Sequence, residues 1–168
     1  MKKIIYLVIL TSIFSIISIA QTDRKPSEAI RPFIVMKQQS LEDLEKSLRV
    51  DNKVSDLIGG AGMQLRVAVQ HDKKREKADA EVHDASDDVY YVLEGSAQLT
   101  LGGKLENPRE VSVGEWRSPK IIGGQTFTIK KGDLIIVPRG TPHQRISVKG
   151  KEFSMILIKV FQEPLPAK

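Results

Sequence analysis

Two short stretches hold most of the residues that could do chemistry. The first runs Glu81-Val82-His83-Asp84-Ala85-Ser86-Asp87-Asp88-Val89-Tyr90, and the second Pro138-Arg139-Gly140-Thr141-Pro142-His143-Gln144-Arg145. On an extended chain Glu81 and His83 point to one side, about 7 Å apart along the backbone. A tight loop brings the chain back through Asp88. His143 follows a turn stiffened by two prolines, which fixes where its ring points. Two imidazoles and two carboxylates facing one cavity suit a divalent cation. Nitrogen and oxygen donors favour Mn, Fe, Zn or Ni over the softer copper(I).

Arg145 lies two residues after His143 and Tyr90 two after Asp88, so each can share the face of its neighbour. An inward arginine needs an anionic partner, such as a substrate carboxylate. Arg145 and Tyr90 are therefore the candidate substrate-binding residues. The plainer alternatives are an outward salt bridge for Arg145 and core packing for Tyr90. Asp87 and Asp88 point to opposite faces if both are extended, which does not make an acid–base dyad. His71 has no motif around it and reads as the end of a strand. There is no G-x-S-x-G elbow, no H-E-x-x-H and no phosphate-binding glycine loop.

The elements that must position these residues are short strands. From Met63 onward apolar and polar residues alternate, as in Leu65, Val67 and Val69. Further strands are expected at 80–83, 89–93, 96–101, 124–129, 133–137, 144–148 and 153–161. Glu94-Gly95, Gly102-Gly103, Lys131-Gly132 and Lys149-Gly150 read as turn dipeptides between them. Such punctuation argues for an all-β barrel or sandwich. Phe153, Met155 and Leu157 alternate and should fill its interior. The basic run Lys73, Lys74, Arg75 and Lys77 reads as a solvated loop. Residues 106–125 form a long connection containing Trp116, placed either to cover the barrel mouth or to pin the loop. Upstream, Leu41, Leu44 and Leu48 fall on one helical face, and Ser40 is positioned to cap a helix near 40–49.

The chain has 168 residues, 40% hydrophobic and 28% charged, a globular balance. It has no cysteine, which excludes disulfide scaffolds, thiolate metal sites and cysteine nucleophiles. Met1-Lys2-Lys3 and the apolar Ile4–Ile19 read as an export signal. The small residues Ser18 and Ala20 place cleavage before Gln21. The apolar run is shorter than the roughly 20 residues of a membrane span. Removing the signal leaves 24 basic against 21 acidic residues, a net +3. The two signs are interspersed, which argues against a nucleic-acid partner. The expected layout is a signal at 1–20, a leader with the helix at 21–62, a barrel at 63–161 and a tail at 162–168. The product is periplasmic or secreted, with no membrane attachment after cleavage.

Both stretches resemble the cupin superfamily. Its second motif, G-x5-P-x-G-x2-H-x3-N, is met by Gly132, Pro138, Gly140 and His143, with Ser147 in place of the asparagine. Its first, G-x5-H-x-H-x3–4-E-x6-G, is met by His83 as the second histidine, Asp88 at the glutamate position and Gly95 as the last glycine. Glu81 stands in place of the first histidine, and the leading glycine is absent. The resemblance implies a double-stranded β-helix, or jelly-roll barrel, with the short helix packed outside. It also implies a metal held by His83, His143, Glu81 and Asp88, an oxygen-richer set than the family's usual one. Small cupins include dioxygenases, isomerases and decarboxylases. Cupins with altered ligands act instead as binding modules for a sugar or an organic acid. The expected partner is thus a small molecule. A homodimer paired through outer strands is compatible with the family.

Overall fold

The computed structural model describes residues 25–29 and 31–166. The expected signal, residues 1–20, lies outside them. Residues 25–29 and 31–35 form neither helix nor strand, and the chain from Met36 onward is a unit of its own. Among the described residues no helix is long and apolar enough to cross a membrane.

Helix α1 spans Gln38–Leu48. It starts two residues before the expected cap, so Ser40 lies inside it, and Lys37 holds the N-cap position without a side-chain bond. Leu41, Leu44 and Leu48 do share the covered face, together with Glu45. Glu45 is buried, and burial raises its carboxyl. The Arg49 fork and the Ser154 hydroxyl outweigh that and leave it below the ordinary carboxylate range. His71 in turn bonds Ser154 at 2.7 Å, so the helix is pinned to the outside of the barrel by polar contacts as well as by leucines.

Strands β1 (Lys53–Ile58), β2 (Leu65–Asp72), β3 (Ala80–His83) and β4 (Ser86–Leu101) follow. Next come β5 (Lys104–Leu105), β6 (Arg109–Ser112), β7 (Glu115–Ser118), β8 (Ile121–Ile122) and β9 (Gln125–Lys130). The last are β10 (Leu134–Val137), β11 (His143–Ser147) and β12 (Phe153–Phe161). Every pairing is antiparallel. One face of the barrel runs β1–β2–β12–β4–β10 and the other β9–β4–β11–β3–β7–β6, while β5 and β8 pair apart. Strand β1 was not anticipated; its alternation is weak, and pairing with β2 is what makes it a strand.

Strand β4 belongs to both faces. Its first half pairs with β10 and β12, its second with β9 and β11. The sequence reads as two strands broken at Glu94-Gly95. The chain instead stays extended through that point and changes sheet, as strands do at jelly-roll corners. The pairing with β12 slips there, and Gly95 sits at φ +77°. A Cβ at Gly95 would run into the Glu152 carbonyl, so the corner needs glycine for its conformation and for the close approach.

The interior between the faces is filled by Tyr90, Val92, Leu99, Ile129, Val137, Phe153, Met155 and Leu157. The alternation of Phe153, Met155 and Leu157 places all three inside. Arg145 is also inside, over the Phe153 and Tyr90 rings, with both Nε and Nη2 donating to the buried Asp72 at 3.1 and 2.9 Å.

Gly95→Ala is expected to destabilise the fold by more than about 2 kcal/mol, the left-handed penalty of about 1–2 kcal/mol plus the backbone collision. Urea unfolding followed by circular dichroism measures it. A midpoint within error of the parent would contradict the role assigned to this corner.

Candidate metal centre

Strand β3 aims Glu81 and His83 inward, and β11 opens with His143 opposite Glu81. The turn before His143 is tied down at several points. The Gly140 N–H donates to the His83 carbonyl at 2.8 Å, and the Arg139 backbone and guanidinium both bond Asp87. Thus Asp87 faces out and braces the turn, while Asp88, one residue on, faces in. The Gly140 bond fixes the two histidines relative to each other through the backbone. Their rings lie 5.1 Å apart, tilted by 55°.

Each ring is held by its outer nitrogen. His83 Nδ1 donates to the Glu115 carboxylate at 2.7 Å, and His143 Nδ1 to the Thr141 carbonyl at 2.9 Å. A carbonyl can only accept, so the proton of His143 sits on Nδ1 and Nε2 presents a lone pair. The carboxylate partner selects the same tautomer in His83. Both Nε2 atoms are buried and have no hydrogen-bond partner. Glu81 Oε2 lies 3.6 Å from one and 4.0 Å from the other. The three donors lie within 4.8 Å of one another. This is the arrangement of metal-ligating histidines, whose outer N–H is fixed by a carboxylate or carbonyl while the inner nitrogen faces the ion. Glu81, His83 and His143 therefore fit a divalent cation.

Asp88 stands beside this group, with Oδ2 3.6 Å from His83 Nε2 and 3.9 Å from His143 Nε2. Its oxygens are engaged elsewhere. Lys159 donates to Oδ1 at 2.7 Å and the Tyr90 hydroxyl to Oδ2 at 2.9 Å. Burial raises the Asp88 carboxyl, but the Lys159 ammonium prevails and holds it below the ordinary range. Burial and the Asp88 charge push the Tyr90 hydroxyl well above its usual value, so it stays a donor. Arg145 reaches the same cavity, and its anionic partner is Asp72.

The cavity, about 220 Å³, has further lining that spacing alone does not reveal: Glu115, Arg117, Arg75 and Lys159. The first two come from β7, within the 106–125 connection, which lies alongside β3 with Glu115 opposite His83 and Arg117 opposite Glu81. Trp116, between them, points away and donates to Asp84 at 2.8 Å. Arg75 comes from the basic loop and reaches Glu81 at 3.4 Å. Lys159 continues the inward row Phe153, Met155, Leu157, and that parity is the one signal by which it could have been found.

No family model matches the sequence, and no curated protein matches it. Solved structures do match. A protein of Bacillus halodurans superposes with a TM-score of 0.55 at 19% identity, over 83% of this chain and 88% of that one. A Klebsiella pneumoniae protein described as having a double-stranded beta-helix domain gives 0.47 at 17% identity, over 67% and 78%. The cupin domain of Schizosaccharomyces pombe Cnp3 gives 0.48 at 14%, over 65% and 64%. The strand pairings make the fold an all-β jelly-roll barrel with one short helix.

The pH dependence of the metal-free protein reports on the centre. Burial pulls His143 below its ordinary 6.5, against the Thr141 bond that raises it. The unfolded chain therefore takes up a proton there at a pH where the folded barrel does not. Stability is complete above 6.5, declines as pH falls below it, and declines again below about 3.8 as Asp88 is forced to protonate. Urea midpoints measured with chelator should be flat near pH 7–8 and fall below 6.5. His143→Gln should flatten the upper limb; an unchanged slope would contradict the assignment.

Proposed function

We propose that this chain binds a divalent metal through Glu81, His83 and His143 and acts on a small polar molecule in the same cavity. The observation that carries this reading is the pair of buried, unpartnered Nε2 atoms directed at Glu81. Three protein donors with further positions open is the pattern of catalytic rather than structural sites. Two histidines and one carboxylate is the donor set of non-haem Fe(II) oxygenases, which places an oxygenase first and a metal-dependent isomerase second. A bound ion would supply Lewis acidity or, as iron, redox chemistry with dioxygen. The chain's own residues do the rest. Glu115 and the Thr141 carbonyl hold the rings in the ligating tautomer. Lys159 keeps Asp88 ionised, and the Tyr90 hydroxyl stays a proton donor beside it. The signal-like residues 1–20 make export part of the proposal.

The engagement of Asp88 by Lys159 and Tyr90 favours a second reading, a barrel that binds its small molecule without turnover, because it leaves one carboxylate fewer for an ion.

Metal content by mass spectrometry tests the proposal on protein purified without chelator or nickel resin. Near-stoichiometric metal is expected, with most of it lost in His83→Ala and His143→Ala. Asp88→Asn should retain it. Glu115→Gln should weaken affinity about 10–100-fold, as loss of an orienting partner does. No uptake after dialysis against Mn, Fe(II), Zn and Ni would sink the metal reading.

A further inference from the structure

The charges around the cavity close in pairs, with two exceptions. Arg145 is matched by Asp72, Lys159 by Asp88, and Arg66 by Asp56 at 2.9, 2.7 and 2.8 Å. Arg75 and Arg117 are not closed in this way. They flank Glu81 at 3.4 and 3.8 Å, and Arg117 reaches Glu115 at 3.5 Å, all longer than a good charge-assisted bond of about 2.7–2.9 Å. The Nε of Arg75 is buried with no partner. Its loop is nonetheless held. The Arg75 N–H donates to the Ser147 hydroxyl and its carbonyl accepts from the Ser147 N–H, both at 3.0 Å. Asn52 brackets Lys74 with two further bonds. The backbone is thus fixed so that this guanidinium hangs into the cavity.

With Glu81 and Glu115 set against Arg75 and Arg117, the group is neutral without an ion. A divalent cation on Glu81 and the two histidines adds two positive charges in a largely buried space and draws the Glu81 charge to itself. Arg75 is then left without a counter-charge, and Arg117, anchored on the Trp116 carbonyl at 2.9 Å, keeps only Glu115 at 3.5 Å. An anion offsets part of that excess, and a planar carboxylate matches the guanidinium fork. The volume of about 220 Å³ lies below the roughly 300–1,000 Å³ of drug-sized sites. We infer that the cavity takes a small carboxylate of a few carbon atoms, held by Arg75 and Arg117 beside the ion. This inference rests on the metal reading above.

Calorimetric titration of the Mn²⁺-loaded full chain with lactate and with lactamide, its neutral counterpart, tests the inference. Lactate should bind at least about tenfold more tightly than lactamide. Arg75→Gln and Arg117→Gln should each erase most of that preference while moving the Mn²⁺ affinity less than about threefold, a loss too small to reflect a missing ligand. Arg75→Lys should recover only part, since it restores charge without the fork. Lys131→Gln, on an exposed ion pair with Glu94 outside the lining of this cavity, should change nothing. Circular dichroism checks that each variant is folded, and the wild-type comparison needs no variant. Equal binding of lactate and lactamide, or Mn²⁺ uptake with no response to lactate, overturns the carboxylate inference and leaves the metal reading standing. Absence of Mn²⁺ uptake fells the metal reading instead; lactate binding that still depends on Arg75 would then support the carboxylate site alone.

Discussion

A lone pair on a buried nitrogen, with no donor to meet it, is costly in a folded protein. The candidate centre sets two of them side by side, one on His83 and one on His143. Neither ring can turn to relieve the cost, because Glu115 and the Thr141 carbonyl hold the opposite nitrogens. Neither can drift from the other, because Gly140 is bonded to the His83 carbonyl. Much of the remaining architecture serves that constraint. The Arg139–Asp87 pair braces the turn, and β7 supplies the carboxylate.

The barrel makes such a constraint affordable through β4. A single strand runs through both faces, so the inward residues of one sheet and the other belong to one continuous packed interior. Asp88 and Tyr90 lie on its first half, Ala97 and Leu99 on its second. Polar residues of the centre and apolar residues of the core are therefore neighbours on the same backbone. The buried Arg145–Asp72 pair lies between the two regions, under the aromatic rings of Tyr90 and Phe153.

Much of this is legible in the sequence, and the reasons are local. Alternation along Phe153–Leu157 marks the inward face of a strand, since side-chain parity depends on nothing beyond the chain itself. The spacing of Glu81 and His83, and the proline-bounded turn before His143, place three donors for the same reason. The failures are of another kind. Glu94-Gly95 has the composition of a turn, and only the position of Glu152 across the corner explains why glycine is needed in a continuous strand. Glu115 and Arg117 have no motif; they enter the cavity because β7 pairs with β3, a long-range choice that no local pattern records. Arg75 looks like one more solvated charge in a basic run. Its backbone bonds to Ser147, 72 residues away, decide otherwise. Ser40 has the chemistry of a cap, yet the helix begins earlier because its leucines and Glu45, not its first turn, anchor it.

The side chains that surround the centre come from two sources with different freedom to change. Its donors sit on β3 and β11, where any shift would disturb the barrel. Arg75 sits on a surface loop, and Glu115 and Arg117 on a hairpin at the end of a sheet. Such segments can be lengthened, shortened or recoloured with charge while the scaffold stays intact. On the proposed reading the fold thereby separates reactivity from selectivity: one frame can keep its ion chemistry while the choice of what is admitted beside it is rewritten from outside.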